Sequence, residues 1–264
     1  MEETLTELQQ KFEILKEEYV KLINDKDVLL NWGKPQLEAL YTVRVGRFQI
    51  ERLQAQLRIK ALKRKIEMVQ SAINRQVKVD INDIELQVAA ELAQAEQKIM
   101  IETAKLESAK NLLSNLESPE RSAELRKLYY KFAKSLHPDV NDSLTPEQQE
   151  LWHIIKSAYE SGDLEKLKAL QIVYEKELKQ ASQALQQLTP AELELKMVVL
   201  KEGIKVLHSQ VADIRSAFPF NMEDKIKDDQ WVEEEVQKIN VEMEALKRYE
   251  EELTLQYSEL IKLI

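Results

Sequence analysis

Few residues in this chain have the types and spacing that chemistry needs. There are 3 His, at positions 137, 153 and 208, and no Cys. Thiol catalysis, disulfides and Cys-based zinc sites are thereby excluded. His137 and His153 can approach each other across a helical hairpin, but no third ligand stands at metal spacing. Glu pairs are abundant, yet they fall on solvated helical stretches with no Gly-rich loop or strands to wall a pocket. The sequence therefore offers no catalytic residue, no metal ligand and no cofactor site, and no enzyme is expected. One constellation stands apart. His137-Pro138-Asp139 directly follows a stretch carrying Arg126, Lys127, Tyr130, Lys131 and Lys134. Taken locally, the tripeptide is a helix-stop turn, with His137 at the surface and Asp139 bonding nearby backbone. Taken with the cations, it forms the charged end of a basic helix.

Two helices must position that tripeptide. The first spans 119–136. Ser118-Pro119 gives it an N-cap and a proline at the first helical position, and Pro138 stops it because the residue before a proline disfavours helical geometry. Leu125, Leu128, Phe132 and Leu136 share one face, opposite the cations. The second helix spans 146–161 and opens on the capping box Thr145-Pro146-Glu147-Gln148. Its apolar stripe is Leu151, Trp152, Ile155, Ala158 and Tyr159. The loop between them is short, so the helices pack as an antiparallel hairpin with His137-Pro138-Asp139 at its mouth.

The rest of the chain reads as long helices. Among 264 residues there are only 4 Gly and 6 Pro, with 32% charged and 6% aromatic residues, so turns are scarce and elements long. Leu5, Leu8, Phe12, Leu15, Tyr19, Leu22 and Leu29 keep a heptad spacing, with Lys26 in its polar slot. Gly33 and Pro35 predict a break and a reversal at 31–35. A second helix follows from Gln36, with Ile50, Leu53, Leu57, Leu62, Ile66, Val69 and Ile73 on its stripe and a slip near Lys60. The β-branched run 77–81 interrupts it. Asp80 or Asn82 caps a third helix to about residue 117, carrying Ile84, Val88, Leu92, Ile99, Leu106 and Leu113. Thr189-Pro190-Ala191-Glu192 opens another helix, and residues 218–221 break it before a long acidic one. Trp32, Trp152 and Trp231 read as packing anchors.

Residues 128–139, LYYKFAKSLHPD, and 150–162, ELWHIIKSAYESG, resemble the second and third helices of the J-domain, the module by which DnaJ-type co-chaperones engage DnaK-type heat-shock chaperones. Trp152 stands at the family's Phe position and Ile155 at its Ile, and Ala158-Tyr159 match directly. The resemblance covers residues 118–170. It implies that His137, Pro138 and Asp139 contact the chaperone's ATPase domain and linker. It also implies that Arg126, Lys127, Lys131 and Lys134 dock on an acidic chaperone surface. Leu125, Leu128, Phe132, Leu136, Trp152, Ile155 and Tyr159 would form the hairpin core. Tyr130 replaces the family's usual Arg and Leu136 its usual Tyr. The family's first helix has no counterpart beside the hairpin, and Leu112, Leu113 and Leu116 are assigned its packing role.

The expected fold is all-α: long antiparallel coiled-coil helices with an inserted J-domain-like hairpin. Three stretches follow, a long-helix region at 1–117, the hairpin at 118–170 and a second long-helix region at 171–264. The functional expectation is a co-chaperone that stimulates the ATPase of a DnaK-type chaperone. The alternative is a coiled-coil adaptor with an inactive hairpin, binding a helical client or a second copy of itself. The net charge is −9, but residues 44–78 carry ten cations against Glu51 and Glu67. That stripe either pairs with the acidic helices after Glu223 or meets an anionic partner. Phe48 is its only aromatic, so nucleic acid is not favoured. No run approaches the roughly 18 apolar residues of a membrane span, and a cytoplasmic setting is expected.

Overall fold

A computed structural model describes residues 4–78, 80–114, 119–141, 144–175, 178 and 188–263. Among these there is no strand, and the fold is all-α. The helices are α1 (Leu5–Val28), α2 (Lys34–Tyr41), α3 (Arg47–Arg75), α4 (Ile81–Ser114), α5 (Pro119–Leu136) and α6 (Pro146–Glu160). They continue with α7 (Leu164–Val173), α8 (Pro190–Ser216), α9 (Glu223–Lys227) and α10 (Asp229–Ile261). Contacts group the chain into two units, each built from two separated stretches: Met1–Pro35 with Leu116–Asn221, and Gln36–Asn115 with Met222–Ile264.

The described caps work as their chemistry requires, while the expected N-cap Ser118 lies outside the described residues. Thr4, Thr145 and Thr189 each accept the backbone N–H of the third helical residue, whose Glu or Gln side chain reaches back to the cap. Asp80 accepts the Asn82 N–H at 2.8 Å, at the head of α4. Gln76 takes the left-handed conformation that ends α3. The reversal expected at 31–35 does not occur. Leu29–Gly33 is a π-helical turn and Pro35 lies inside α2, so the backbone stays helical. Proline has no N–H to give the ladder, and a π turn beside it absorbs the misfit. Gly33 also serves a contact rather than a helix end. A Cβ there would stand 3.1 Å from the Phe220 ring.

In the first unit α1 lies between two neighbours. One side packs on α8 through Leu8 and Phe12 with Leu193, Met197 and Leu200, then through Leu22 and Ile23 with Ile204 and Leu207. Both sets of numbers rise together, so α1 and α8 run parallel. The other side of α1 sends Val20 into the core of the α5–α6 hairpin. In the second unit α3 lies antiparallel to α4, with Val69, Ile84, Val88 and Leu92 between them. It lies parallel to α10, as Arg52–Glu242 and Arg58–Glu250 show. Antiparallel pairing of the long helices was expected throughout, and it holds for α3 with α4 alone of these three pairs. A heptad defines an apolar seam but not the direction of the helix that covers it.

The basic stripe at 44–78 finds acidic partners inside this second unit. Arg44 pairs with Asp229, Arg52 with Glu242, Arg58 with Glu250, Arg64 with Glu91 and Lys65 with Glu85. Lys63 sits 4.8 Å from the centroid of the Tyr249 ring. These contacts are largely exposed, so they set register more than stability.

Candidate functional site

The hairpin core forms because α5 and α6 each bring one apolar stripe to the same seam. Leu125, Phe132, Ala133 and Leu136 of α5 meet Leu151, Trp152, Ile155, Ala158 and Tyr159 of α6, all buried. Leu128 is half-buried at the margin. The position that completes the α5 stripe is Tyr129, which sequence reasoning missed. It is 1% exposed and stacks 3.9 Å from Tyr159 and 5.5 Å from Trp152, centroid to centroid. Its hydroxyl donates to Asp27 of α1 at 2.9 Å. Burial and the Asp27 charge push the Tyr129 hydroxyl's pKa far up, so it stays a donor. The spacing 125, 129, 132, 136 was the available signal, since it follows one helical face more closely than 125, 128, 132, 136. Leu164 and Leu167 of α7 close the far side of the core.

Of the residues assigned the first-helix packing role, only Leu112 and Leu113 are described, and Leu113 is half-buried. Leu112 is exposed, and Leu116 lies outside the described residues. Within the unit α1 takes that place, with Val20 in the core and Tyr19 and Trp32 packed against it. Trp32 tilts on Tyr159 at 6.1 Å. The heptad spacing assigned α1 a single seam, whereas the helix buries two.

The tripeptide is held from several directions. The His137 N–H donates to the Ala133 carbonyl and closes the last turn of α5. The His137 carbonyl accepts from Val140 and from Asn141 at 2.9 Å. Asn141, also missed in the sequence, is 1% exposed and donates its amide to the Ser135 carbonyl at 3.2 Å. It ties the exit of the loop to an orphan carbonyl of the helix end. The His137 ring lies edge-on to Trp152 at 5.0 Å, and its Nδ1 accepts the Asp139 backbone N–H at 3.1 Å. Pro138 and Asp139 are exposed. The Asp139 carboxylate accepts the Tyr19 hydroxyl at 3.2 Å.

An Nδ1 that accepts a hydrogen bond must be unprotonated, so this geometry fits the neutral imidazole. Burial pushes the His137 pKa below its usual 6.5, although the charges of Asp139 and Asp27 pull it up. The sign follows from linkage. A histidine whose pKa is depressed on folding contributes stability that is present above 6.5 and is lost as the pH falls through the folded value. Acidification below pH 6.5 should therefore loosen the loop first. Faster amide hydrogen exchange at Asp139 and Asn141 than in the middle of α6 would register it. Equal changes at both places would place the acid sensitivity elsewhere.

The cationic face is divided. Lys127 and Lys131 point to solvent, Arg126 is half-buried, and Lys134 pairs with Glu17 of α1 at 2.5 Å. That hydrogen bond raises the Lys134 pKa and lowers that of Glu17. Beside them Lys16 of α1 is 4% exposed and bonded to Glu13 at 3.4 Å. Its pKa is lowered chiefly by burial. His153 is exposed on α6, and His208 of α8 stands 3.5 Å from Glu18. Among the described residues no cluster of His, Asp or Glu is placed to hold a metal ion, and no helix is long and apolar enough to cross a membrane. The arrangement can offer a carboxylate, a rigid proline and the solvent-exposed cations Lys127 and Lys131 to a partner surface. No known protein family, curated protein or solved structure matches this chain.

Proposed function

We propose that this protein is a co-chaperone that docks on a DnaK-type chaperone through the His137-Pro138-Asp139 loop and the α5 cations, stimulates its ATPase, and acts in the cytoplasm. One observation carries the reading. The tripeptide stands at the open mouth of the hairpin with its His137 ring against Trp152, while Pro138 and Asp139 are exposed, as are Lys127 and Lys131 on α5. The Asp139 carboxylate accepts one hydrogen bond, from Tyr19, and is otherwise open at the surface, where it can meet a partner. The test is steady-state ATP hydrolysis by a DnaK-type chaperone, with and without this protein, at low and physiological salt. Stimulation should be salt-sensitive, because the proposed contact is electrostatic. Lys131→Glu should weaken it by about tenfold or more, since a like charge then faces the acidic surface. Stimulation that ignores both salt and Lys131→Glu would exclude the α5 face as the docking surface.

A second reading is a helix-binding adaptor. Leu195, Val198 and Val199 lie exposed on α8, at 62% or more. Apolar groups left open at helical spacing suit a helical client or a second copy. Size measured by light scattering across a concentration series separates a second copy from a lone chain. Failure of the ATPase test by a folded protein would leave this reading in front.

A further inference from the structure

The helix that covers the hairpin also holds the groups the hairpin would use. Tyr19 donates to Asp139, and Glu17 takes Lys134. A single turn of one helix thus presents a hydroxyl to the tripeptide's carboxylate and a carboxylate to one end of the basic face. Asp27, further along α1, takes the Tyr129 hydroxyl and anchors the same helix to the hairpin core. The docking surface of a chaperone would have to be acidic to meet α5. The side of α1 that meets α5 is already acidic where it reaches Lys134.

The placement of Tyr19 is enforced from behind. Gly203 of α8 lies under its ring, and a Cβ there would stand 2.6 Å from the Tyr19 ring edge. Glycine in a helix interior costs about 1 kcal/mol against alanine, so a helix of this kind has no propensity reason to hold one. Its absent side chain lets the ring lie where the hydroxyl reaches Asp139. Burial and Asp139 push the Tyr19 pKa up to about 12, so the hydroxyl stays protonated and donating throughout the neutral range.

We infer that α1 is an intramolecular clamp on the docking face: it competes with the chaperone's acidic groups for Lys134 and with its cations or hydrogen-bond donors for Asp139, and holds the co-chaperone below its full activity. The inference rests on the co-chaperone reading above. The clamp is weak by construction. Lys134 and Glu17 are 37% and 55% exposed, and the Tyr19–Asp139 bond lies at the surface. Exposed contacts of this kind each change an equilibrium by no more than roughly fivefold. A chaperone can therefore displace them on docking, and a partner that draws α1 aside would release the hairpin fully.

The test uses the whole chain with Glu17→Gln and Tyr19→Phe combined. Both changes keep the side-chain size, leave the α1–α8 seam and Val20 untouched, and remove only the two clamping groups. The concentration giving half-maximal stimulation of a DnaK-type ATPase should fall by roughly three- to tenfold against wild type. Glu17→Lys, which sets a third cation beside Lys16 and Lys134, should act in the same direction, and melting followed by circular dichroism confirms that each variant is folded. Equal half-maximal concentrations for wild type and both variants would overturn the clamp while leaving the co-chaperone reading in place. No stimulation by any of the folded proteins would overturn the co-chaperone reading itself, and the clamp with it.

Discussion

Asp139→Asn should reduce chaperone ATPase stimulation to background while leaving the melting temperature of the chain almost unchanged. The two halves of that expectation come from separate observations. Folding does not depend on the Asp139 charge. The loop is built by the His137 carbonyl, the Asn141 amide and the Asp139 backbone N–H on His137 Nδ1, and all of these survive the change. The asparagine oxygen can still accept the Tyr19 hydroxyl at the same place. An exposed isosteric substitution of this kind shifts stability by about 0.5 kcal/mol or less. Docking does depend on the charge. Losing one partner of a desolvated, hydrogen-bonded ion pair at an interface costs about 2–5 kcal/mol, a factor of roughly 30 to several thousand in affinity. Dose–response curves for wild type and variant, with thermal melts of both, check the two halves together. A variant that retains half the stimulation would show that the carboxylate is not the docking group. A variant that melts ten degrees lower would show that the loop, not the contact, had been lost.

Much of this architecture was legible before the structure, and the parts that were not share a cause. The limits of α5 and α6 follow from Pro119, Thr145 with Gln148, and Pro138, because caps and prolines act on their own neighbours. The exposure of Pro138 and Asp139 follows from the same local rules, whereas His137, expected at the surface, is half-buried because its ring packs on Trp152. Partner choice does not. The α1 heptad showed that an apolar seam existed, but α8 and the hairpin compete for α1 from two sides, and only the folded chain shows Val20 going to one and Leu22 to the other. Ion-pair register between α3 and α10 is likewise a tertiary fact. Many alignments of a basic and an acidic helix satisfy charge, and a parallel one became available because α4 carries the chain back along α3. Tyr19 and Glu17 drew no notice in the sequence as docking neighbours. They stand 120 and 117 residues from their partners Asp139 and Lys134.

Tyr129→Ala should cost the hairpin unit about 3–5 kcal/mol, the range seen when a large buried ring is removed and its cavity cannot collapse. Two features argue for the upper part of that range. The ring is stacked on Tyr159 and packed against Trp152, so its loss removes two aromatic contacts as well as buried area. Its hydroxyl also satisfies Asp27, whose carboxylate would lose that donor. Tyr129→Phe separates these contributions, because it keeps the ring and the stacking and removes only the hydroxyl. It should cost about 1.5–3 kcal/mol, the net contribution of a hydrogen bond to a charged acceptor. Urea denaturation followed by Trp fluorescence reads both, since Trp32 and Trp152 lie at this core and report on its packing. The ratio of the two losses decides how α1 is held. If Phe costs nearly as much as Ala, the bond to Asp27 is the main tie between α1 and the hairpin, and that tie is polar and open to competition. If Phe is almost neutral, apolar packing around Val20 and Tyr19 holds α1 in place. Release of the tripeptide would then require only Tyr19 and Glu17 to let go, with the helix itself remaining docked.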